Sequence, residues 1–135
     1  MGSTQRQFCD TVPRMDPQQI VRDFNEAINA RDLDRLTSML TDDHRFVDSA
    51  GQIVSGREAV TAAWSGFFTS CPDYRNEFDT VEARGDGVVV AGRSICSYPD
   101  LHDPGLWTAR VSGDRVAEWR VYGDTPEQRT ALGLG

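Results

Sequence analysis

The chain has 135 residues, 39% of them hydrophobic and 9% aromatic, which is the composition of one ordinary globular domain. Its net charge of −7 argues against nucleic acid or an anionic membrane as partner, because the mean field repels both. All 14 basic residues are arginines, which excludes Schiff-base chemistry on lysine.

The first 15 residues are polar, contain Pro13 and lack periodicity, so they are predicted to form a flexible tail. Residues 16–135 are predicted to form a single domain. We see no signal peptide and no apolar run long enough to span a membrane, and we therefore expect a cytoplasmic location.

Three helices are predicted in the first half of the chain. Asp16 followed by Pro17 is typical of a helix N-terminus, and the apolar residues that follow recur at helical spacing. Asp32 is predicted to cap a second, shorter helix. A third helix begins at Arg57, carries a wide apolar stripe and ends before Pro72.

Strands are predicted around and after the third helix. His44–Asp48 is predicted as a short strand, followed by a turn between Gly51 and Gly56. After Pro72, alternating runs separated by turn residues predict four antiparallel strands at Tyr74–Arg84, Val88–Tyr98, Leu106–Val111 and Arg115–Tyr122. Helices followed by strands predict an α+β fold with the helices on one face of the sheet.

The alternation of side chains predicts which residues of the last two strands face the helices. Trp119 and Val121 share the apolar face of the last strand, and Trp107 faces inward from the strand before it. Tyr122 and Asp124 belong to the outer face, where contact with a second subunit or capping of the tail is expected.

The strand Val88–Tyr98 is apolar on both faces, so its orientation stays open. Either Arg93 and Ile95 face the helices, or the opposite set with Cys96 does. The choice matters because only the first option brings an arginine into the interior.

The sequence lacks the patterns that mark metal and cofactor sites. We find no C-x-x-C pair, no paired histidines, no P-loop, no G-x-S-x-G motif and no dinucleotide fingerprint, so neither metal nor cofactor is expected. Cys9, Cys71 and Cys96 are predicted to be reduced thiols. His44 lies beside two aspartates and is predicted to be a solvated surface histidine.

The segments NARDLDRLTSMLTDDHRFVDSAGQIVSGREAV and GDRVAEWRVYGDTPEQRTALG, with the order of elements, resemble the nuclear transport factor 2-like superfamily. That superfamily includes ketosteroid isomerase, limonene epoxide hydrolase and the SnoaL-like polyketide cyclases, and the resemblance covers about residues 16–133. It implies a cone-shaped, cystatin-like α+β barrel with three N-terminal helices packed on a curved, mainly antiparallel sheet. It also implies one apolar pocket and a homodimer formed through the outer sheet face.

The resemblance to ketosteroid isomerase places Asp48 at the position of that enzyme's carboxylate base. Phe24 and Trp107 stand where the isomerase has its two oxyanion donors, so both donors are absent. Steroid-type isomerisation is therefore not expected.

The resemblance to limonene epoxide hydrolase matches Arg93 with that enzyme's arginine. Ile95 and Val121 stand where its two aspartates would be, so its mechanism is incomplete as well. Asp48, with Arg93 beside it, is therefore the part of these two enzymes' catalytic sites that this sequence keeps.

These residues predict a small-molecule enzyme in which Asp48 does acid–base chemistry of the polyketide cyclase, isomerase or dehydratase type. The substrate would be an apolar polycyclic or aromatic-like molecule. Arg93 would serve as a donor, and His102, in the loop at 99–105, would either donate a proton or be an exposed loop residue. The expected substrate-binding residues are Phe24, Phe46, Trp64, Phe67, Ile95, Trp107, Trp119 and Val121.

Structural alternatives stand beside each of these interpretations. Asp48 precedes Ser49 and Gly51 and could cap a turn, and Arg93 could form a structural salt bridge. The whole domain could be a non-catalytic ligand-binding or dimerisation module of the same fold.

Overall fold

The computed structural model describes residues 16–85, 87–97 and 103–134. The tail at 1–15 and His102 lie outside these ranges. Within these ranges there are four helices, α1 (Pro17–Ala30), α2 (Leu33–Ser38), α3 (Arg57–Ser70) and α4 (Pro126–Ala131). The strands are β1 (Leu40–Val47), β2 (Ile53–Ser55), β3 (Arg75–Arg84), β4 (Gly87–Ile95), β5 (Pro104–Ser112) and β6 (Arg115–Gly123).

The strands form one sheet in the order β2-β1-β6-β5-β4-β3. Every neighbouring pair is antiparallel except β1 and β6, which run parallel. Helices pack on this mostly antiparallel sheet, so the predicted α+β class is confirmed.

The first three helices begin where the sequence predicts. The Asp16 carboxylate accepts a hydrogen bond from the Gln18 N–H at 3.0 Å, and Pro17 occupies the first helical position of α1. Asp32 caps α2 in the same way, accepting from the Arg35 N–H at 3.1 Å.

Three features were not predicted. β1 starts at Leu40, directly after α2, and is longer than the predicted His44–Asp48 strand. β2 has three residues, too few to show an alternating pattern, and it forms by pairing Val47 with Ile53 across the turn. The short helix α4 follows Thr125, whose side chain caps it.

The core lies between α1 and the sheet. Phe24 is fully buried on α1 and packs against Trp119 of β6, with a ring-centroid distance of 5.2 Å. The inward positions of Trp119 and Trp107 therefore agree with the predicted alternation.

The pairing of β4 with β5 settles the orientation that the sequence left open. Val90 lies opposite Trp107, and Val88 lies opposite Ala109, and all four belong to the core. Residues of β4 with even numbers therefore face the helices, and those with odd numbers face outward. Arg93 is thus on the outer face.

No helix in the described part of the chain is both long and apolar enough to cross a membrane.

Candidate functional site

A cavity of about 330 Å³ lies between α3 and the inner face of the sheet. This volume is in the range of small-molecule pockets. Its wall is mainly aromatic and aliphatic, with few polar side chains. The lining residues are Phe46, Asp48, Ser49, Val60, Ala63, Trp64, Phe67, Tyr74, Trp107, Trp119 and Val121.

A continuous row of aromatic rings forms one wall of the cavity. Phe46 of β1 contacts Trp64 edge-on at a centroid distance of 5.8 Å, and Trp64 contacts Phe67 at 5.9 Å. Phe67 in turn contacts Tyr74, just before β3, at 4.6 Å. Aromatic walls of this kind favour flat, apolar ligands.

Two tryptophans form the sheet side of the cavity. The Trp107 and Trp119 rings are stacked, with centroids 6.3 Å apart and planes inclined by 21°. Phe24 lies behind Trp119 and is fully buried, so the expectation that Phe24 contacts substrate is wrong. Because α1 directs Phe24 into the core, it supports the cavity wall without lining it.

Asp48 lies at the cavity immediately after β1. Its Oδ1 accepts hydrogen bonds from the backbone N–H groups of Ala50 and Gln52, both at 2.9 Å. Its backbone N–H also donates to the Gln52 carbonyl at 3.0 Å, and Gly51 takes the φ of 86° that closes the turn. Asp48 therefore caps the turn and lines the cavity at the same time.

The second carboxylate oxygen of Asp48 is the chemically available one. Within the described ranges, Oδ2 makes no hydrogen bond or ion pair, while Oδ1 is held by two backbone donors. One oxygen thus fixes the orientation of the carboxylate, and the other can accept a proton.

Six of the eight predicted substrate-binding residues lie on the cavity wall. Their roles in binding stay predictions, but their positions agree with the expected alternation and helical spacing. They are Phe46, Trp64, Phe67, Trp107, Trp119 and Val121.

Arg93 and Ile95 do not reach the cavity, and their expected place in the site is wrong. Both have odd numbers on β4 and so belong to the outer face. The Arg93 guanidinium lies 3.8 Å from a Glu77 carboxylate oxygen and 3.6 Å from one of Asp79, and its side chain is 44% exposed. Arg93 is therefore an exposed member of an ion-pair cluster and not a partner of Asp48.

Four lining residues were not predicted. Val60 and Ala63 extend the apolar stripe of α3, so helical spacing would have found them. Ser49 follows Asp48 in its turn. Tyr74 carries no signal in the sequence that distinguishes it from other residues at the start of a strand.

Tyr74 is anchored by a polar network behind the cavity wall. Its hydroxyl lies 3.0 Å from Ser94 Oγ, and Ser94 Oγ donates to Asn76 Oδ1 at 2.8 Å. Asn76 is buried, and its backbone N–H donates to Asn29 Oδ1 of α1 at 2.8 Å. Burial raises the pKa of Tyr74, an effect that the hydrogen bonds of Ser94 and Asn76 partly oppose, so the phenol is protonated near pH 7.

His44 is buried, so its predicted surface position is wrong. Because β1 starts at Leu40, His44 is in the middle of the strand and faces the core. Its Nδ1 lies 2.7 Å from the Val116 carbonyl oxygen, and its Nε2 has no hydrogen-bond partner in the described part of the chain. Burial lowers the pKa of His44, while the Val116 hydrogen bond and the charges of Glu118 and Asp43 raise it less strongly.

Cys71 and Cys96, distant in sequence, are hydrogen-bonded neighbours in the structure. Both are reduced, in agreement with the prediction. Burial raises the pKa of the Cys71 thiol, which makes it a poor nucleophile at neutral pH.

Among the residues that the structure describes, no group of three or more histidine, cysteine or acidic side chains could hold a metal ion.

Comparison with known proteins shows which folds share this arrangement. A family model for a SnoaL-like domain matches residues 21–132. None of the curated proteins matches the sequence significantly. Many solved structures match the fold of this chain significantly.

Three of these structures illustrate the similarity. A candidate polyketide cyclase from Sinorhizobium meliloti is 19% identical, with a TM-score of 0.70, and the match covers 76% of this chain and 93% of that one. A SnoaL-like protein of unknown function from Burkholderia thailandensis is 23% identical, with a TM-score of 0.69 and coverages of 81% and 95%. A candidate ketosteroid isomerase from Kribbella flavida is 16% identical, with a TM-score of 0.67 and coverages of 86% and 86%. At these identities the similarity shows the fold alone.

Proposed function

Because this chain belongs to the SnoaL-like domain family, we propose that it is a cofactor-independent enzyme that uses Asp48 for acid–base chemistry on an apolar, ring-containing substrate. The reaction class is that of a polyketide cyclase, isomerase or dehydratase. Some of the structurally similar proteins are named as candidate polyketide cyclases or ketosteroid isomerases, which supports the same class.

The observation that carries the proposal is the environment of the Asp48 carboxylate. Two backbone N–H groups orient it through Oδ1, and Oδ2 has no partner among the described residues. An oriented carboxylate at an aromatic cavity is suited to removing a proton from a carbon next to a carbonyl group.

The proposed substrate is one with an activated C–H bond. No arginine or histidine lines the cavity in the described part of the chain, so no cationic group stabilises a developing oxyanion there. A substrate whose anion is delocalised over a ring or a second carbonyl group needs less of this help.

A second candidate function is non-catalytic binding of the same kind of ligand. Among the described residues no cationic side chain lines the cavity, which favours this function, because binding of an apolar ligand needs no oxyanion donor. For both candidate functions we propose that the protein forms a homodimer through the outer face of the sheet.

Proton exchange on a bound ketone separates the two candidates. 2-Tetralone is a suitable probe because its C1 protons lie between a carbonyl group and an aromatic ring. We expect the protein to bind it saturably, as measured by the fluorescence of the three cavity tryptophans, and to accelerate deuterium exchange at C1 in D2O. Saturable binding with exchange no faster than in buffer would support the binding module and contradict the enzyme.

A further inference from the structure

Two cysteine side chains meet at the end of α3, beside the cavity wall. Cys71 is the first residue after α3, and Cys96 is the first residue after β4. Cys71 is 5% exposed and Cys96 is 6% exposed, and their thiols are hydrogen-bonded to each other. The proposed chemistry at Asp48 uses neither thiol.

The backbone explains why two residues so far apart in the sequence become neighbours. A turn begins at Cys71, whose carbonyl accepts a hydrogen bond from the Tyr74 N–H at 3.1 Å. The β3–β4 ladder begins directly afterwards with Arg75 opposite Ile95, so Tyr74 and Cys96 follow in the same register. The turn and the strand pairing together bring Cys71 beside Cys96.

Side-chain hydrogen bonds hold the two segments together. Asp73 Oδ1 accepts from the Cys96 thiol at 3.5 Å, and Asp73 Oδ2 accepts from the Ser97 N–H at 3.1 Å. The Tyr74 and Ser94 hydroxyls lie 3.0 Å apart. The folded chain therefore brings the two sulfur atoms together before any bond between them forms.

A bond between these thiols would join α3 to a part of the sheet that its backbone hardly contacts. The backbone of α3 packs mainly against β1, β2 and α2. β4 lies on the far side of β6 and β5 from β1, and α3 reaches that side through the contacts of Phe67 with Tyr74 and of Cys71 with Cys96. Since α3 carries Trp64 and Phe67 of the cavity wall, the bond would fasten this wall at its second end.

We propose that Cys71 and Cys96 are a site of reversible oxidation, at which a small disulfide of the glutathione type converts the two thiols into a disulfide that fastens α3 to β4. One protein thiolate attacks a sulfur of the small disulfide, which gives a mixed disulfide and releases one small thiol. The second protein thiol attacks the protein sulfur of the mixed disulfide and releases another small thiol. Two protein thiols and one small disulfide thus become one protein disulfide and two small thiols, which take up the two protons.

Burial makes this exchange slow at neutral pH. It raises the pKa of the Cys71 thiol, so little of that thiol is present as thiolate near pH 7. The thiolate is the attacking species, and the exchange is therefore best followed at about pH 8.5.

Equilibration of the intact protein with reduced and oxidised glutathione tests the proposal. It is done at about pH 8.5 in native buffer and again in urea, and the remaining thiols are then blocked with N-ethylmaleimide before digestion with trypsin. The three cysteines fall on separate tryptic peptides, 7–14, 58–75 and 94–110. Each pairing therefore has its own mass.

We expect native protein to give peptide 58–75 joined to peptide 94–110. The equilibrium constant for this disulfide should be at least about tenfold larger in native buffer than in urea, because only the folded chain holds the two thiols together. Equal constants, another pairing as the main native product, or a native protein that stops at mixed disulfides would overturn the proposal.

Three single variants assign the bond. Cys9→Ser should form it as the wild-type protein does, whereas Cys71→Ser and Cys96→Ser should form no link between peptides 58–75 and 94–110. Loss of the bond in Cys9→Ser would overturn the assignment. If a serine variant at Cys71 or Cys96 does not fold, the peptide map of Cys9→Ser still decides, because it contains only the proposed pair.

Urea unfolding of oxidised and reduced Cys9→Ser tests the effect on the fold. The oxidised protein should have its midpoint at higher urea, because the bond closes the loop between residues 71 and 96 in the unfolded chain, and dithiothreitol should restore the original midpoint. An oxidised midpoint equal to or below the reduced one would contradict the fastening of α3. None of these measurements uses turnover, so their outcome is independent of the proposed function.

Discussion

Asp48 is compatible with two interpretations that look like alternatives in the sequence, the turn cap and the proposed acid–base group. The turn-cap interpretation describes its Oδ1, which binds the N–H groups of Ala50 and Gln52, and the acid–base interpretation describes its Oδ2. The two roles support each other, because the capping bonds restrict the rotation of the carboxylate. An orienting interaction of this kind is what a catalytic group needs.

His44 is the residue whose charge state matters most for stability. It is buried beside Phe24, with Nε2 unpaired within the described ranges, so charging it places an extra N–H in the core without an acceptor. The neutral ring donates from Nδ1 to the Val116 carbonyl and leaves Nε2 as a lone pair.

We predict that acid destabilises the protein through His44. Its folded pKa is lowered below 6.5, so its contribution is fully present above that pH and is lost as the pH falls below it. The free energy of unfolding in urea should fall between pH 7.5 and pH 5.5 with a slope of at most about 1.4 kcal/mol per pH unit from this one proton.

The variant His44→Asn provides the control for this pH dependence. Its amide can donate to the Val116 carbonyl but does not titrate, so the slope should be smaller even if the variant is less stable overall. Asp73 and Asp124 have carboxyl pKa values below the usual 3.8, so their contributions are lost only at lower pH. Equal slopes in the two proteins would show that His44 is not the group responsible.

At the scale of elements, the sequence predicts which side chains face inward where a hydrophobic pattern repeats. It does not predict this where the orientation of a strand depends on its pairing with another strand. The helical spacing in α1 and α3 and the alternation in β5 and β6 were enough to place Trp64, Trp107 and Trp119 at the cavity. In β4 both faces are apolar, and only its pairing with β5 decides that Arg93 faces outward. No local pattern could supply that information.

The interactions that the sequence could not predict connect elements that are far apart in the chain. Tyr74 depends on Ser94 and on Asn76, and Asn76 depends on Asn29, which is 47 residues away. Such buried networks follow from the packing of α1 on β3, which exists only in the folded chain.

Two glycines give a matched test of how closely β3 and β4 approach each other, with Gly92 at the contact and Gly66 as the control on an exposed helix surface. Gly92 of β4 lies under a bulge of β3, and a Cβ there would approach Phe78 Cα to 2.9 Å and the Glu77 carbonyl carbon to 3.0 Å. Since these are backbone atoms, Gly92→Ala should cost about 2–3 kcal/mol. Gly66 is exposed on α3 with no atom within 4 Å, so Gly66→Ala should stabilise by about 0.5–1 kcal/mol.

The measurement is urea unfolding of both variants and the wild-type protein. The midpoint should move to lower urea for Gly92→Ala and to higher urea for Gly66→Ala. A Gly92→Ala midpoint equal to that of the wild-type protein would contradict the close approach of β3 to β4.

At the scale of the whole molecule, the inner face of the sheet lines the cavity, and we propose that the outer face contacts a second subunit. The outer face carries exposed charged groups such as Arg93 and Asp79, together with the half-buried Tyr122. We predict a dimer with twice the 15.0 kDa mass of the chain in sedimentation velocity. Thr108→Arg, on the same face, should give a monomer, and a wild-type monomer would contradict the proposed interface.

The most direct test of the central claim is deuterium exchange on 2-tetralone by the wild-type protein and by Asp48→Asn. Asparagine keeps an oxygen that accepts from Ala50 and Gln52, so the turn and the affinity for ligand should be retained. The exchange rate at saturation should fall by about 100-fold or more, because the amide cannot accept the proton. Asp114→Asn, an exposed residue in the turn after β5, should exchange as fast as the wild-type protein. An Asp48→Asn protein that exchanges at the wild-type rate would contradict the account.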